Sequence, residues 1–239
     1  MKTENSKTPI VKVIGYGNGT GAMNKALIST TLISTLLSFS LFQSFDLQAK
    51  DQEMTPAVKT HIAETADQVS PLLNGQTIPD ITVIKIDGSH IGLSDYLNGQ
   101  KTILFFYRGG WCPFCNTQMG QLQAVEGELK SLGFKLVGIS TDAPDDLKKS
   151  IDKRQLSYDL LSDYQSKVSS AFGLSFFTSE QTTSRYLAKM NLKNPLQKNQ
   201  AGDERLVLPV PAIYVIDSKG LIQFNYVNPN YKVRLHSDL

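Results

Sequence analysis

The chain has 239 residues, 41% of them hydrophobic, with 24 basic and 22 acidic side chains and a formal charge of +2. Charges of both signs are interspersed, so no nucleic-acid-binding stripe is implied. The length suits one well-buried core.

Residues 1–22 are polar, with Gly15, Gly17, Gly19 and Gly21 alternating. Neither phosphate-binding glycine spacing occurs, so the stretch is expected to be disordered, or an upstream extension of the reading frame with translation starting at Met23. Residues 23–49 have the layout of a secretory signal: Lys25, an apolar run over 26–42, and Leu47-Gln48-Ala49 as the cleavage site. The rival is an uncleaved membrane anchor over 26–45, disfavoured by hydroxyls such as Ser29, Thr30 and Ser34. Either outcome puts the remainder outside the cytoplasm, in a periplasmic or other extracytoplasmic space. Residues 50–74 space Val58, Ile62, Ala66, Val69 and Leu73 as a short helical lead-in would, with His61 on its polar side.

One domain is expected over 75–239. Residues 80–86 alternate at period two, Asp87-Gly88 makes a turn, and 90–93 return, which predicts a β-hairpin; a helical turn over 95–98 follows. Thr102-Ile103-Leu104-Phe105-Phe106-Tyr107 is a strand that stops at Arg108-Gly109-Gly110-Trp111, and Cys112-Pro113-Phe114-Cys115 then opens a helix. Met119, Leu122, Val125, Leu129 and Leu132 mark one face of that helix, which ends at Gly133. Residues 134–140 read as a buried parallel strand, giving a right-handed β-α-β unit with the cysteines at the carboxyl end of its first strand. A helix over 145–154, an edge strand over 159–162 and a helix over 167–174 are expected next. Residues 175–205 are polar and weakly periodic, and read as an insertion over the site. Pro209-Val210-Pro211 leads into an edge hairpin, 212–217 and 221–227.

Cys112 and Cys115 are the only cysteines. Pro113 suits the first helical position, which makes Cys112 the N-cap and puts Cys115 in the first turn. Unpaired backbone N–H groups, the helix dipole and Arg108 then favour thiolate over a thiol that ordinarily titrates at about 8.5. The spacing also permits an internal disulfide, so the pair is expected to cycle as a redox-active disulfide with no other cofactor. No metal is expected: zinc takes four ligands, and only His61, His90 and His236 remain, with no second tight pair. An inert structural disulfide would close too short a loop to add much stability. Trp111 is expected either to shield the sulfurs or to pack in the core. Arg108 is expected either at the sulfurs or paired with a surface carboxylate.

The run from Phe105 to Cys115, with the Asp87-Gly88 hairpin upstream and Pro211-Ala212-Ile213-Tyr214-Val215-Ile216-Asp217 downstream, resembles the AhpC/TSA, peroxiredoxin-like branch of the thioredoxin superfamily. The resemblance implies an α/β thioredoxin-like fold, a central mixed β-sheet flanked by helices. It also implies a redox-active cysteine at the helix start and a cis-proline facing it, which falls at Pro211 and sets Val210 beside the incoming substrate. In the family's P-x-x-x-T-x-x-C motif the proline stands at Arg108, the threonine at Cys112 and the attacking cysteine at Cys115. Thioredoxins imply Cys112 as attacker instead. The family's acidic residue falls at Gln118 and its strand arginine at Pro211, leaving Arg108, the helix N-terminus and Arg234 to activate a peroxide. The resemblance further implies a final helix beyond Leu239, without which an apolar face is expected to be uncovered.

Three functions fit. A thiol-dependent peroxidase would attack a hydroperoxide through Cys115, form a disulfide with Cys112 and be reduced by an external, thioredoxin-like thiol. A thiol-disulfide oxidoreductase would attack protein disulfides through Cys112. The last is a thioredoxin-fold binding module with no catalysis.

Overall fold

The computed structural model describes residues 60–190 and 192–236. The chain divides into two units, Met1–Asp51 and Gln52–Leu239, and every described residue belongs to the second. The upstream extension, the signal or anchor and residues 50–59 of the lead-in therefore lie outside the described residues.

Seven strands make the main sheet, in the order 222–227, 212–216, 102–107, 135–140, 159–162, 82–84 and 90–92. Its centre is β3 (Thr102–Tyr107), β4 (Lys135–Ser140) and β5 (Asp159–Ser162), all parallel. The hairpin β1 (Thr82–Ile84) and β2 (His90–Gly92) pairs antiparallel with β5, and β10 (Ala212–Ile216) and β11 (Ile222–Val227) form a second hairpin against β3. The sheet is mixed and flanked by helices, as the resemblance implies. β5 is interior rather than at an edge: Ile84 pairs with Ser162 and brings the first hairpin outside it.

Period-two alternation along β3 divides the core. Leu104 and Phe106 join a cluster with Val137, Ile139 and Tyr214, while Phe105 and Tyr107 face the opposite layer with Met119, Leu122 and Leu147. That second layer is covered by α2 (Pro113–Ser131) and α3 (Pro144–Arg154). Full burial of each large side chain contributes roughly 1.5–3 kcal/mol, so β3 is the most strongly anchored segment and carries the site that follows it. Leu132, expected on the buried face of α2, is 58% exposed, because the chain turns back at Gly133 before reaching the sheet again.

Two other expectations change. Residues 60–73 contain a short 3-10 turn, Ala66–Gln68, instead of an α-helix. The segment runs extended there, its Ala63, Ser70 and Leu72 amides donating to the carbonyls of Ser175, Gly173 and Phe172. Residues 175–205, read as weakly periodic, hold β6 (Ser175–Phe177), α5 (Glu180–Met190), and the ribbon β7 (Gln197–Lys198) and β8 (Glu204–Arg205). β6 pairs with β9 (Val207–Pro209), and Tyr186 of α5 packs on Leu206 and Leu208. Two short helices complete the fold, α1 (Leu93–Leu97) and α4 (Lys167–Ala171). Among the described residues no helix is long and apolar enough to cross a membrane.

Candidate active site

Cys112 has extended backbone, φ −87° and ψ 117°, and is the N-cap of α2, with Pro113 at the first helical position. The turn before it is held from several sides. Asp142, just beyond β4, accepts a 2.6 Å hydrogen bond from the Gly110 amide, and Asn116 and Arg154 donate to the Gly110 carbonyl. Both glycines are required by close approach: a Cβ at Gly109 would lie 2.2 Å from Trp111 Nε1, and one at Gly110 would lie 2.2 Å from Ser150 Oγ.

Both cysteines are free thiols and buried, Cys112 at 1% and Cys115 at 0% exposure. α2 packs its first turn against β3 and β10, in one cluster with Phe105, Tyr107 and Ile213. The cover is partly polar. Arg234 donates from Nη2 to Cys115 Sγ at 3.2 Å and from Nη1 to Gln118 Oε1 at 2.9 Å. Leu235 packs against the same cluster, and Tyr231 stacks edge-on to Phe114.

Arg108 is 3% exposed and pairs with no surface carboxylate among the described residues; its guanidinium sits 4.1 Å from the Tyr231 ring and 5.1 Å from the rings of Trp111 and Tyr186. Its Nη2 donates to the Tyr186 hydroxyl at 2.5 Å. Two buried donors of this group, Arg108 Nε and Trp111 Nε1, have no protein acceptor. A buried N–H without a partner is costly, so these are natural points for an oxygen to enter. Trp111 meets the Tyr186 ring at 5.1 Å and a tilt of 57°, and packs against the cysteine cluster.

The thiols titrate as a pair. A hydrogen bond from the Cys115 thiol, its backbone N–H and the nearby charges of Arg108 and Arg234 pull Cys112 down to about 6 against the burial that opposes them. Burial and then Cys112 itself push Cys115 well above the ordinary thiol value, with Arg234 working in the other direction. The two shifts point in opposite directions, down for Cys112 and up for Cys115, so the lower titration step of the pair is weighted toward Cys112. Asp142 is held up to about 6, chiefly by burial and against the Gly110 amide.

Two expectations at the end of β9 change. No described peptide bond is cis, so Pro211 is trans. The Val210 amide donates to the Leu174 carbonyl and its side chain belongs to the cluster on the other sheet face, which turns Val210 away from the sulfurs. No group of three or more His, Cys, Asp or Glu side chains among the described residues is placed to hold a metal ion. Tyr186, Tyr231 and Asp142 were not singled out by sequence. Tyr186 has a weak signal in the Thr183/Tyr186 spacing, both buried on α5; the others have none.

Comparison with known proteins adds a family to this geometry. The AhpC/TSA family model matches residues 74–225. The chain belongs to the AhpC/TSA family. Peroxiredoxin Bcp of Escherichia coli K12 is 34% identical over 106 residues, which span 44% of this chain and 67% of that protein. Among solved structures, the peroxidoxin BcpB of Mycobacterium tuberculosis superposes with a TM-score of 0.51 at 22% identity, over 69% of this chain and 88% of that one. Reduced Prx3 from Vibrio vulnificus, solved with hydrogen peroxide, gives a TM-score of 0.55 at 17% identity over 69% of this chain and 93% of its own. At those identities the two structures support the thioredoxin-like fold of this AhpC/TSA member and nothing finer.

Proposed function

We propose that this chain is a thiol-dependent peroxidase whose two cysteines cycle between dithiol and internal disulfide. The observation that carries the reading is the sulfur pair at the α2 N-terminus, flanked by Arg108 near Cys112 and by Arg234 3.2 Å from Cys115, inside an AhpC/TSA domain. Family membership supports peroxide as substrate class, and burial of both sulfurs favours a molecule of that size over a protein disulfide.

The cycle balances without a cofactor. The Cys115 proton passes to Cys112 along the hydrogen bond joining them, leaving a thiolate on Cys115 beside Arg234. That sulfur attacks the distal oxygen of the hydroperoxide: an S–O bond forms, the O–O bond breaks, and the leaving alkoxide takes the proton from Cys112 to become the alcohol. Cys112 thiolate then attacks the sulfenic sulfur, the disulfide forms and hydroxide leaves. An external dithiol of thioredoxin-like type returns the two electrons by thiol-disulfide exchange. Export is part of the reading, supported by the signal-like residues 23–49.

One observation favours a second reading. With the resting charge on Cys112, that sulfur is the better placed to attack a disulfide, as in a thiol-disulfide oxidoreductase. Treating reduced Cys112→Ser and Cys115→Ser proteins with hydrogen peroxide and a dimedone-type probe separates the two. The peroxidase reading expects label on Cys115 in the Cys112→Ser protein. No label there, together with rapid reduction of a disulfide substrate by the wild type, supports the second reading; inertness in both assays points to a binding module.

A further inference from the structure

We propose that the cavity between α3 and the end of α5 binds a small organic anion, with a carboxylate or phosphate at one end and an aliphatic or aromatic body at the other. The inference goes beyond the peroxidase reading, because neither cysteine is among the residues that line this cavity.

Its volume is about 620 Å³, within the roughly 300–1,000 Å³ usual for small-molecule sites. One wall is α3, and the other is Tyr164 with Met190, Leu192, Lys193 and Asn194. The second wall is fastened to the body of the fold: the Tyr164 hydroxyl donates to the Lys193 carbonyl, and the Asn194 side-chain amide donates to the Thr141 carbonyl. Gly110 and Trp111 complete the lining, so an occupant rests on the turn that leads into Cys112.

Four basic and three acidic residues line the cavity, and the acidic ones are already engaged. Asp145 is held by Lys148 at 3.3 Å, Asp146 by Lys149 at 2.7 Å and Asp142 by the Gly110 amide. Lys153 and Lys193 have no ion-pair partner among the described residues, and Arg154 meets a carbonyl, that of Gly110, in place of a carboxylate. Three cations on facing walls therefore stand ready for an anionic head, which gains charge-assisted hydrogen bonds there. Trp111, Leu192 and Met190, the last 38% exposed, give the same cavity an apolar side, and methionine beside an indole adapts to ligands of different outline. An inorganic ion uses only the first feature and a neutral apolar molecule only the second.

The test titrates the full chain with anilinonaphthalene sulfonate, an aromatic anion whose emission rises when it leaves water. Saturable one-to-one binding is expected, with displacement by octanoate or by adenosine monophosphate according to the head group preferred, and none by inorganic phosphate or benzyl alcohol. Lys153→Ala/Lys193→Ala should weaken binding by about tenfold or more, and Met190→Glu by as much. These side chains are exposed, so the variants are expected to fold as wild type does. Lys130→Ala/Lys198→Ala makes the same change in net charge away from the cavity and should leave binding unchanged. An absence of saturable binding, equal binding by the cavity variants, equal weakening by the remote pair, or displacement by inorganic phosphate or benzyl alcohol alone each overturns the proposal. No step of the measurement consumes peroxide, so its outcome is independent of the peroxidase assay.

Discussion

Replacing Asp142 by asparagine isolates the cost of the buried carboxyl that pins the active-site turn. The group is ordinarily half ionised at 3.8; in the fold it is held up to about 6, mainly by burial, even though the Gly110 amide stabilises its anion. A folded-state value above the unfolded one means that the native protein binds this proton more tightly. Stability contributed by the protonated form is therefore full below the unfolded value and is lost as pH rises through the folded one. At about 1.4 kcal/mol per unit, a gap of about two units amounts to roughly 3 kcal/mol of stability missing above neutrality. An asparagine side chain in its place would keep an oxygen for the Gly110 N–H and bury no charge. The Asp142→Asn protein should thus be more stable than wild type by up to about 3 kcal/mol at about pH 7.5, with the difference shrinking to nothing near pH 4. Urea unfolding across that range, with slopes compared to confirm that only stability has changed, measures it. Asp163, also held up to about 6 by burial, is common to both proteins and drops out of the comparison. A variant no more stable at neutral pH, or one whose advantage persists unchanged into acid, would refute the reasoning.

Gly138→Ala would set a methyl 2.6 Å from Phe105 Cζ and 2.7 Å from a Leu160 methyl in the centre of the sheet. A loss of about 1–3 kcal/mol in urea unfolding is expected, and an unchanged midpoint would mean that the two side chains can yield. Tyr186→Phe removes the acceptor of Arg108 Nη2 and leaves a buried guanidinium short of a partner. The expected cost is about 1.5–3 kcal/mol by the same measurement, and a thermal midpoint equal to wild type would show that Arg108 finds another acceptor. Cys115→Ala takes from Cys112 the side-chain hydrogen bond that lowers it to about 6. The alkylation profile of Cys112 should then move toward alkaline pH, by less than the full shift because the residue-115 backbone N–H and Arg108 remain. A profile unchanged from wild type would contradict the assignment of the resting charge.

The parts of this site that were legible in the sequence are those set by local rules. Alternation along 102–107 gave β3 its two faces, and the proline after Cys112 fixed the start of α2 and with it the placing of both cysteines. What depended on pairing between distant segments was not legible. Residues 159–162 carry no mark of being flanked on both sides, since only the return of the first hairpin to Ile84↔Ser162 makes β5 interior. The placing of Val210 on the other sheet face follows from its bond to Leu174, a contact between distant segments that a motif alignment does not contain. Tyr186 and Tyr231 reach Arg108 across long stretches of sequence, with at most the Thr183/Tyr186 spacing to mark the first, and Arg234 was named by the resemblance rather than by any pattern in its own neighbours.

The cage around Arg108 draws one ring from 78 positions downstream and another from later still, and the sulfur contact of Arg234 spans 119. A growing chain consequently presents its two thiols, already aligned by a local helix start, well before the residues that roof them have been made. Until residues 231–235 arrive, the pair stands open to any oxidant or foreign thiol, and the arrival of that segment is itself the step that puts the reactive sulfurs under guard.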